Sequence, residues 1–163
     1  MSQPKNKNHR RGVGFGLLAV LMATPMVTFY EGTRLQTYTD PVGIPTVCMG
    51  ETDKELVMRE SFTEQECTAL LGASMMAHMT EVAKCVEVPV QAHEAAAIVS
   101  WSYNVGTHAA CTSTLVRMLN EGAPPEQWCQ QLTRWVYAGG KKLRGLEKRR
   151  QSELGMCLTG EWE

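Results

Sequence analysis

The first forty-seven residues of this 163-residue chain contain no cysteine, and no acidic residue precedes Glu31. Between Lys7 and Glu51 the only charges are Arg10, Arg11, Glu31, Arg34 and Asp40. No C-x-x-C pair occurs anywhere, which argues against a zinc site or a thioredoxin-like redox centre. Internal repeats and low-complexity tracts are also missing. The formal net charge of −1 supplies no case for a nucleic-acid partner. No metal, cofactor or nucleic-acid partner is expected, although a net charge near zero by itself argues neither for nor against nucleic acid. The length fits one domain with a short appendage, and the composition is ordinary for a globular protein.

What charge there is has a pattern. Lys5, Lys7, Arg10 and Arg11 form a basic head, and an uncharged run follows from Gly12 to Tyr30. As a helix, about 19 residues would span roughly 28 Å, barely enough for a bilayer core. A basic head predicts a cytoplasmic N-terminus and an exported remainder. Gly12, Gly14, Gly16, Pro25 and several Ala and Thr residues dilute the run, so it is a poor span. It reads as a cleaved signal peptide, a permanent anchor, a weak anchor that inserts and later leaves, or a buried core helix. The missing A-x-A site before Glu31 weighs against cleavage. Thr24-Pro25 is a good helix start and Gly32 a good stop, so Pro25–Glu31 is expected as a short helix in a soluble form.

Six cysteines remain: Cys48, Cys67, Cys85, Cys111, Cys129 and Cys157. They are six buried thiols in a reducing compartment or three disulfides in an oxidising one. Export of the chain favours the disulfides.

Downstream, Arg34–Thr39 alternates, Asp40-Pro41-Val42-Gly43 has turn chemistry, and Ile44–Met49 reads as a return strand. Thr52–Ser61 reads as a loop or a third short strand. Thr63 and Glu66 predict a capping box. The helix behind it carries a core stripe of Cys67, Leu70, Leu71, Met75, Met79 and Val82. Helices are expected over Gln91–Asn104, Ser113–Asn120, Pro124–Tyr137 and Leu143–Leu158. The class is α+β: a small β-hairpin lobe followed by a larger helical lobe.

Glu31 and Asp40 form a candidate acid/base pair. Glycoside hydrolysis needs one protonated carboxylic acid and one ionised carboxylate. A helix C-terminus at Glu31, with Phe29 and Tyr30 beside it, would favour the protonated form. Backbone N–H groups of a turn would favour ionised Asp40. Thr46 could hold a water between them. On these residues alone the signal is weak, and two surface acids near turns explain the pattern better.

The spacing Glu31-x8-Asp40-x5-Thr46 resembles the catalytic signature of the phage-type lysozymes, glycoside hydrolase family 24. "EGTRLQTYTDPVGIPTVCMGET", "VSWSYNVG", "CTSTLVRMLNEG" and "AGGKKLRGLEKRRQSE" resemble blocks of that family in its order, covering most of residues 28–158. The basic head and weak apolar run resemble the signal-anchor-release form of the lambdoid endolysins. The resemblance implies a lysozyme-like fold and a peptidoglycan muramidase that lyses the host and releases phage. Glu31 would be the general acid of an inverting reaction, with Asp40 and Thr46 positioning water. Inversion implies carboxyls roughly 6.5–9.5 Å apart. Tyr103 and Asn104 match cleft positions and are candidate sugar contacts. Where many members carry histidine after Gly50, this chain has Glu51, so altered local pairing is expected there.

The same resemblance implies an N-terminal segment 1–30, overlapping at 24–30 with a catalytic domain 24–163. Implied partners are peptidoglycan strands, the inner membrane through residues 12–30 and the export machinery, with the enzyme a monomer. The enzyme would wait tethered at the host inner membrane and act in the periplasm once released. Some such enzymes switch on by rearranging a disulfide from a cysteine in the anchor. Without one here, regulation by topology is expected, and all six cysteines become structural. Of fifteen possible pairings, Cys48–Cys67, Cys85–Cys111 and Cys129–Cys157 are favoured. A lytic transglycosylase and a non-catalytic, membrane-anchored peptidoglycan-binding protein are the alternatives. The cluster from Arg134 to Arg150 reads as a solvated helix face or as an attraction to anionic cell wall. Either Arg149 or Arg150 could hold Glu31.

Overall fold

The computed structural model describes residues 14–40, 43–59 and 61–163. Expectations for the basic head and for Pro41 and Val42 lie outside the described residues.

Helix α1 spans Leu17–Glu31, with Pro25 inside it. The sequence points to a helix beginning at Pro25, with Thr24 as its cap; the helix instead begins at Leu17. Ala19, Val20, Ala23, Met26 and Val27 recur on one face and are buried, packed on α4 (Ala92–Val105) and α3 (Glu64–Ala83). A proline inside a helix costs about 3 kcal/mol. Burying one Val or Met side chain returns about 1.5–3 kcal/mol, so Val20, Met26 and Val27 outweigh it. Thr24 caps nothing; its hydroxyl donates to the Val20 carbonyl at 2.7 Å. Among the described residues no helix is long and apolar enough to cross a membrane.

Strands β1 (Arg34–Thr39) and β2 (Pro45–Cys48) form the hairpin. Tyr38 faces Thr46 and Arg34 faces Cys48, so the register slips between them. The Gly43 N–H donates to the Asp40 carbonyl at 3.0 Å and closes the turn. Helix α2 (Lys54–Val57) occupies the region read as loop or strand. Its cause is Asp53, whose carboxylate accepts from the N–H groups of Glu55 and Leu56 at 2.9 and 3.2 Å. Helix α3 has the Thr63/Glu66 capping box. Its stripe of Cys67, Leu71, Met75, Met79 and Val82 is buried, with Leu70 partly so.

Helix α4 lies at the centre, between α1 and α8 (Arg144–Thr159). From Ala95 to Trp101 every side chain is fully buried. Gly106, at φ 89°, ends α4 and starts α5 (Thr107–Cys111), a helix the sequence reading lacked. Helix α6 (Thr114–Asn120) is capped by Ser113. The single helix expected over Pro124–Tyr137 is instead α7 (Pro125–Trp128) and a 3-10 helix, Cys129–Arg134. Tyr137–Ala138 (β3) then pairs with Lys141–Lys142 (β4). Gly139 and Gly140 both adopt positive φ, 55° and 75°, which suits a tight hairpin.

Three disulfides staple the fold: Cys48–Cys67, Cys85–Cys111 and Cys129–Cys157. They tie the hairpin to α3, the end of α3 to α5, and the 3-10 helix to α8. By loop-closure entropy each contributes about 3 kcal/mol. Among the described residues the architecture is a mostly helical body with two small antiparallel sheets.

Candidate active site

Glu31 is the last residue of α1. Gly32 leaves the helix at φ 69°, and its N–H donates to the Thr28 carbonyl at 3.0 Å. Phe29, expected to cover the carboxyl, is 69% exposed. Glu31 instead meets a cation. Arg149 Nη1 on α8 donates to Glu31 Oε1 at 2.6 Å, with the arginine side chain 4% exposed and the glutamate 26%. Of the two arginines left open by the sequence, Arg149 is the one in contact.

Behind this pair lies a buried ionic core. Arg149 Nε donates to Glu153 Oε1 at 3.2 Å, and Nη2 to the Ser100 carbonyl at 3.3 Å. Arg150 Nε lies 2.8 Å from Glu153 Oε2, an ion pair without hydrogen-bond alignment. Its Nη2 reaches Asn104 Oδ1 at 2.8 Å. The Ser100 hydroxyl donates to Glu153 Oε1 at 2.9 Å. Two arginines and two glutamates balance in charge. Burial pushes the Glu153 carboxyl up, and Arg150, Arg149 and Ser100 oppose it. The sequence signal for this core was the spacing of Arg149, Arg150 and Glu153, three and four residues apart on one helix face.

Glu31, Tyr103 and Asn104 line one cleft of about 400 Å³, together with Met49, Gly50, Glu51, Thr52, Ser74 and His78. The Tyr103 hydroxyl donates to the Met49 carbonyl at 3.0 Å, bridging α4 to the hairpin. Burial pushes the Tyr103 phenol up to about 12, and the charges of Glu51 and Glu31 add to this. Asn104 is anchored from below by Arg150. Glu51, Ser74 and His78 were not among the residues picked from sequence. Glu51 carried a signal, the departure after Gly50; Ser74 and His78 sit within a helix read as core.

Asp40 and Thr46 sit on the hairpin and meet at the backbone of Ile44. The Ile44 N–H donates to Asp40 Oδ1 at 2.8 Å, and the Asp40 N–H donates to the Ile44 carbonyl at 3.0 Å. The Thr46 hydroxyl donates to that same carbonyl at 2.9 Å and is buried. Neither residue is among those lining the Glu31 cleft. A larger hollow of about 700 Å³ lies between the Phe29–Tyr30 turn, α8 and Trp162. Neither Glu31 nor Asp40 lines it. Among the described residues no group of three His, Cys, Asp or Glu side chains could hold a metal ion.

The sequence pattern of the phage lysozyme family matches residues 28–153. The chain is 40% identical over 131 residues to a SAR-endolysin of bacteriophage PS119, covering 80% of this chain and 78% of that protein. It is 32% identical over 126 residues to a SAR-endolysin of Escherichia phage Mu, covering 77% and 72%. Among solved structures it resembles an endolysin from the Escherichia coli O157:H7 phage FAHEc1, with TM-score 0.77 and 28% identity over 87% of this chain and 94% of that one. Match, relatives and fold agree: the chain belongs to the phage lysozyme family, glycosidases that hydrolyse peptidoglycan.

Proposed function

We propose that this enzyme is a muramidase that cleaves the β-1,4 bond between N-acetylmuramic acid and N-acetylglucosamine by an inverting mechanism. The observation that carries the reading is the fixed position of Glu31 at the end of α1, held by Arg149 in a cleft of a lysozyme fold. Glu31 protonates the glycosidic oxygen as its bond to the anomeric carbon breaks. Asp40 accepts a proton from the water that attacks from the opposite face, and Thr46 helps place that water. Tyr103 and Asn104 contact the sugars. Support for Asp40 and Thr46 is their common anchor at Ile44, which couples their positions.

The SAR-endolysin relatives and the uncharged run support a tethered life before lysis. Residues 12–30 hold the exported chain at the host inner membrane, and the enzyme then enters the periplasm as a monomer. The N-terminal segment 1–30 and catalytic domain 24–163 thus share residues. In the folded enzyme Leu17–Glu31 packs on α4; a chain with that run in the bilayer lacks this packing and the Arg149 contact. Leu17, Leu18 and Leu21 are 63%, 60% and 59% exposed, an outer apolar face consistent with a former lipid contact.

Mass spectrometry of the digestion products tests the reaction. Hydrated muramic ends are expected. Anhydro-muramic ends would make the enzyme a transglycosylase instead, and no cleavage would make it a binding protein. Fractionation before and after collapse of the membrane potential tests release: full-length protein is expected to move to the soluble fraction. Protein that stays in the membrane fraction, or arrives shortened, contradicts it.

A further inference from the structure

We propose that segment 160–163 is a positioning element for the reaction: Trp162 braces the last turn of α1 from outside the cleft and holds Glu31 in line with the bond it protonates. The proposal rests on the reading of Glu31 as the general acid.

The segment is built to fold back on α8. Gly160 takes the left-handed conformation at φ 79°, and its N–H donates to the Met156 carbonyl at 2.9 Å. The Glu161 N–H donates to Thr159 Oγ1 at 3.2 Å. The chain then crosses α8 so closely that a Cβ on Gly155 would lie 2.9 Å from the Glu161 carbonyl oxygen. A side chain at position 155 therefore displaces the backbone of the segment.

The close crossing sets two contacts on the end of α1. The Trp162 ring meets Phe29 with centroids 5.9 Å apart, and Phe29 meets Tyr30 edge to face at 5.1 Å. The Ser152 hydroxyl donates to the Glu163 main-chain oxygen. That uses its proton, so the Tyr30 hydroxyl is the donor to Ser152 Oγ, at 2.7 Å. The Tyr30 ring also lies 5.7 Å from the Arg149 guanidinium that pairs with Glu31.

Phe29, Tyr30 and Glu31 are the last residues of α1, and helix ends fray unless something holds them. Arg149 fixes the carboxyl of Glu31; the two aromatic residues before it carry its backbone. A general acid misplaced by about 1 Å loses much of its rate. None of Phe29, Tyr30, Ser152 and Trp162 lines the Glu31 cleft, so the brace acts on the acid and not on the sugars.

The test is kcat and KM on soluble glycan strands for Trp162→Ala, Trp162→Phe and Gly155→Ala, measured well below each Tm. Trp162→Ala is expected to lower kcat about tenfold with KM within about twofold. Trp162→Phe keeps a ring against Phe29 and should recover most of the loss. Gly155→Ala should lower kcat in the same way, although alanine is the better helix former. Combined with Trp162→Ala it should add nothing further, because both act through one displaced segment. Unchanged kcat in Trp162→Ala or in Gly155→Ala overturns the proposal. So does a rise in KM at constant kcat, which would place the segment on the substrate. Losses that multiply in the double variant, or that Trp162→Phe does not recover, overturn it as well. Where Trp162→Ala does not fold, Gly155→Ala decides alone. Cleavage by Glu31→Gln would instead overturn the role of Glu31, independently of these ratios.

Discussion

Arg149 Nη1 donates to Glu31 Oε1 at 2.6 Å, so the last residue of the first helix is tied to the middle of the last one. The same guanidinium also reaches Glu153 and the Ser100 carbonyl. One planar fork therefore sets the carboxyl of α1 against both α4 and α8. A lysine is a point charge on a flexible stem and cannot meet three acceptors in these directions. Arg149→Lys is expected to lower kcat about tenfold or more while KM changes little, because the acid is mispositioned and the sugar contacts remain. Steady-state hydrolysis of soluble glycan strands checks this; a kcat within twofold of the parent contradicts it.

Glu153 is fully buried between Arg149 and Arg150. Glu153→Gln leaves both guanidiniums short of a counter-charge in the core. Removing one partner of a buried pair costs about 3–5 kcal/mol. The urea midpoint is expected to fall accordingly, with activity lost in step with the fold. A variant as stable as the parent would contradict the need for a second counter-charge beside Glu31.

The sequence made the helix-and-hairpin order legible, because Thr63 with Glu66, Ser113, Gly32 and Gly106 mark ends by local chemistry. It misplaced the start of α1, because Thr24-Pro25 has the chemistry of a helix start. There, burial of Val20, Met26 and Val27 by partners distant in the chain outweighs the local preference. It missed the break after Trp128, where a 3-10 helix and the Gly139-Gly140 ribbon replace a helix that prolines at its start and glycines beyond its end suggested. For the candidate site, Glu31, Asp40 and Thr46 are singled out by the resemblance of the blocks around them to the lysozyme family, and the residues alone do not select them. The choice between adjacent Arg149 and Arg150 depends on the rotation of α8 against α1, a tertiary quantity. Glu153 looks like one more acid in a charged helix until its burial is known.

The Thr63–Glu66 capping box gives a pH signature. The Thr63 N–H, then Arg59, then the Thr63 hydroxyl hold the Glu66 carboxyl down to about 2, from an ordinary 4.5. A depressed folded-state value stabilises the protein above the unfolded value, and this is lost as pH falls through the folded one. The Tm advantage of the parent over Glu66→Gln is therefore expected to be full above about pH 4.5. It should shrink steadily toward pH 2. Thermal scans across that window check it; a gap that does not change with pH contradicts the assignment.

The central claim is that the carboxyl of Glu31 supplies the proton that breaks the glycosidic bond. The most direct measurement is hydrolysis of purified cell wall by Glu31→Gln, with circular dichroism and Tm to verify that the fold is kept. The expected result is a folded protein that binds glycan strands and releases no reducing ends. A folded Glu31→Gln variant that still cleaves them would contradict it.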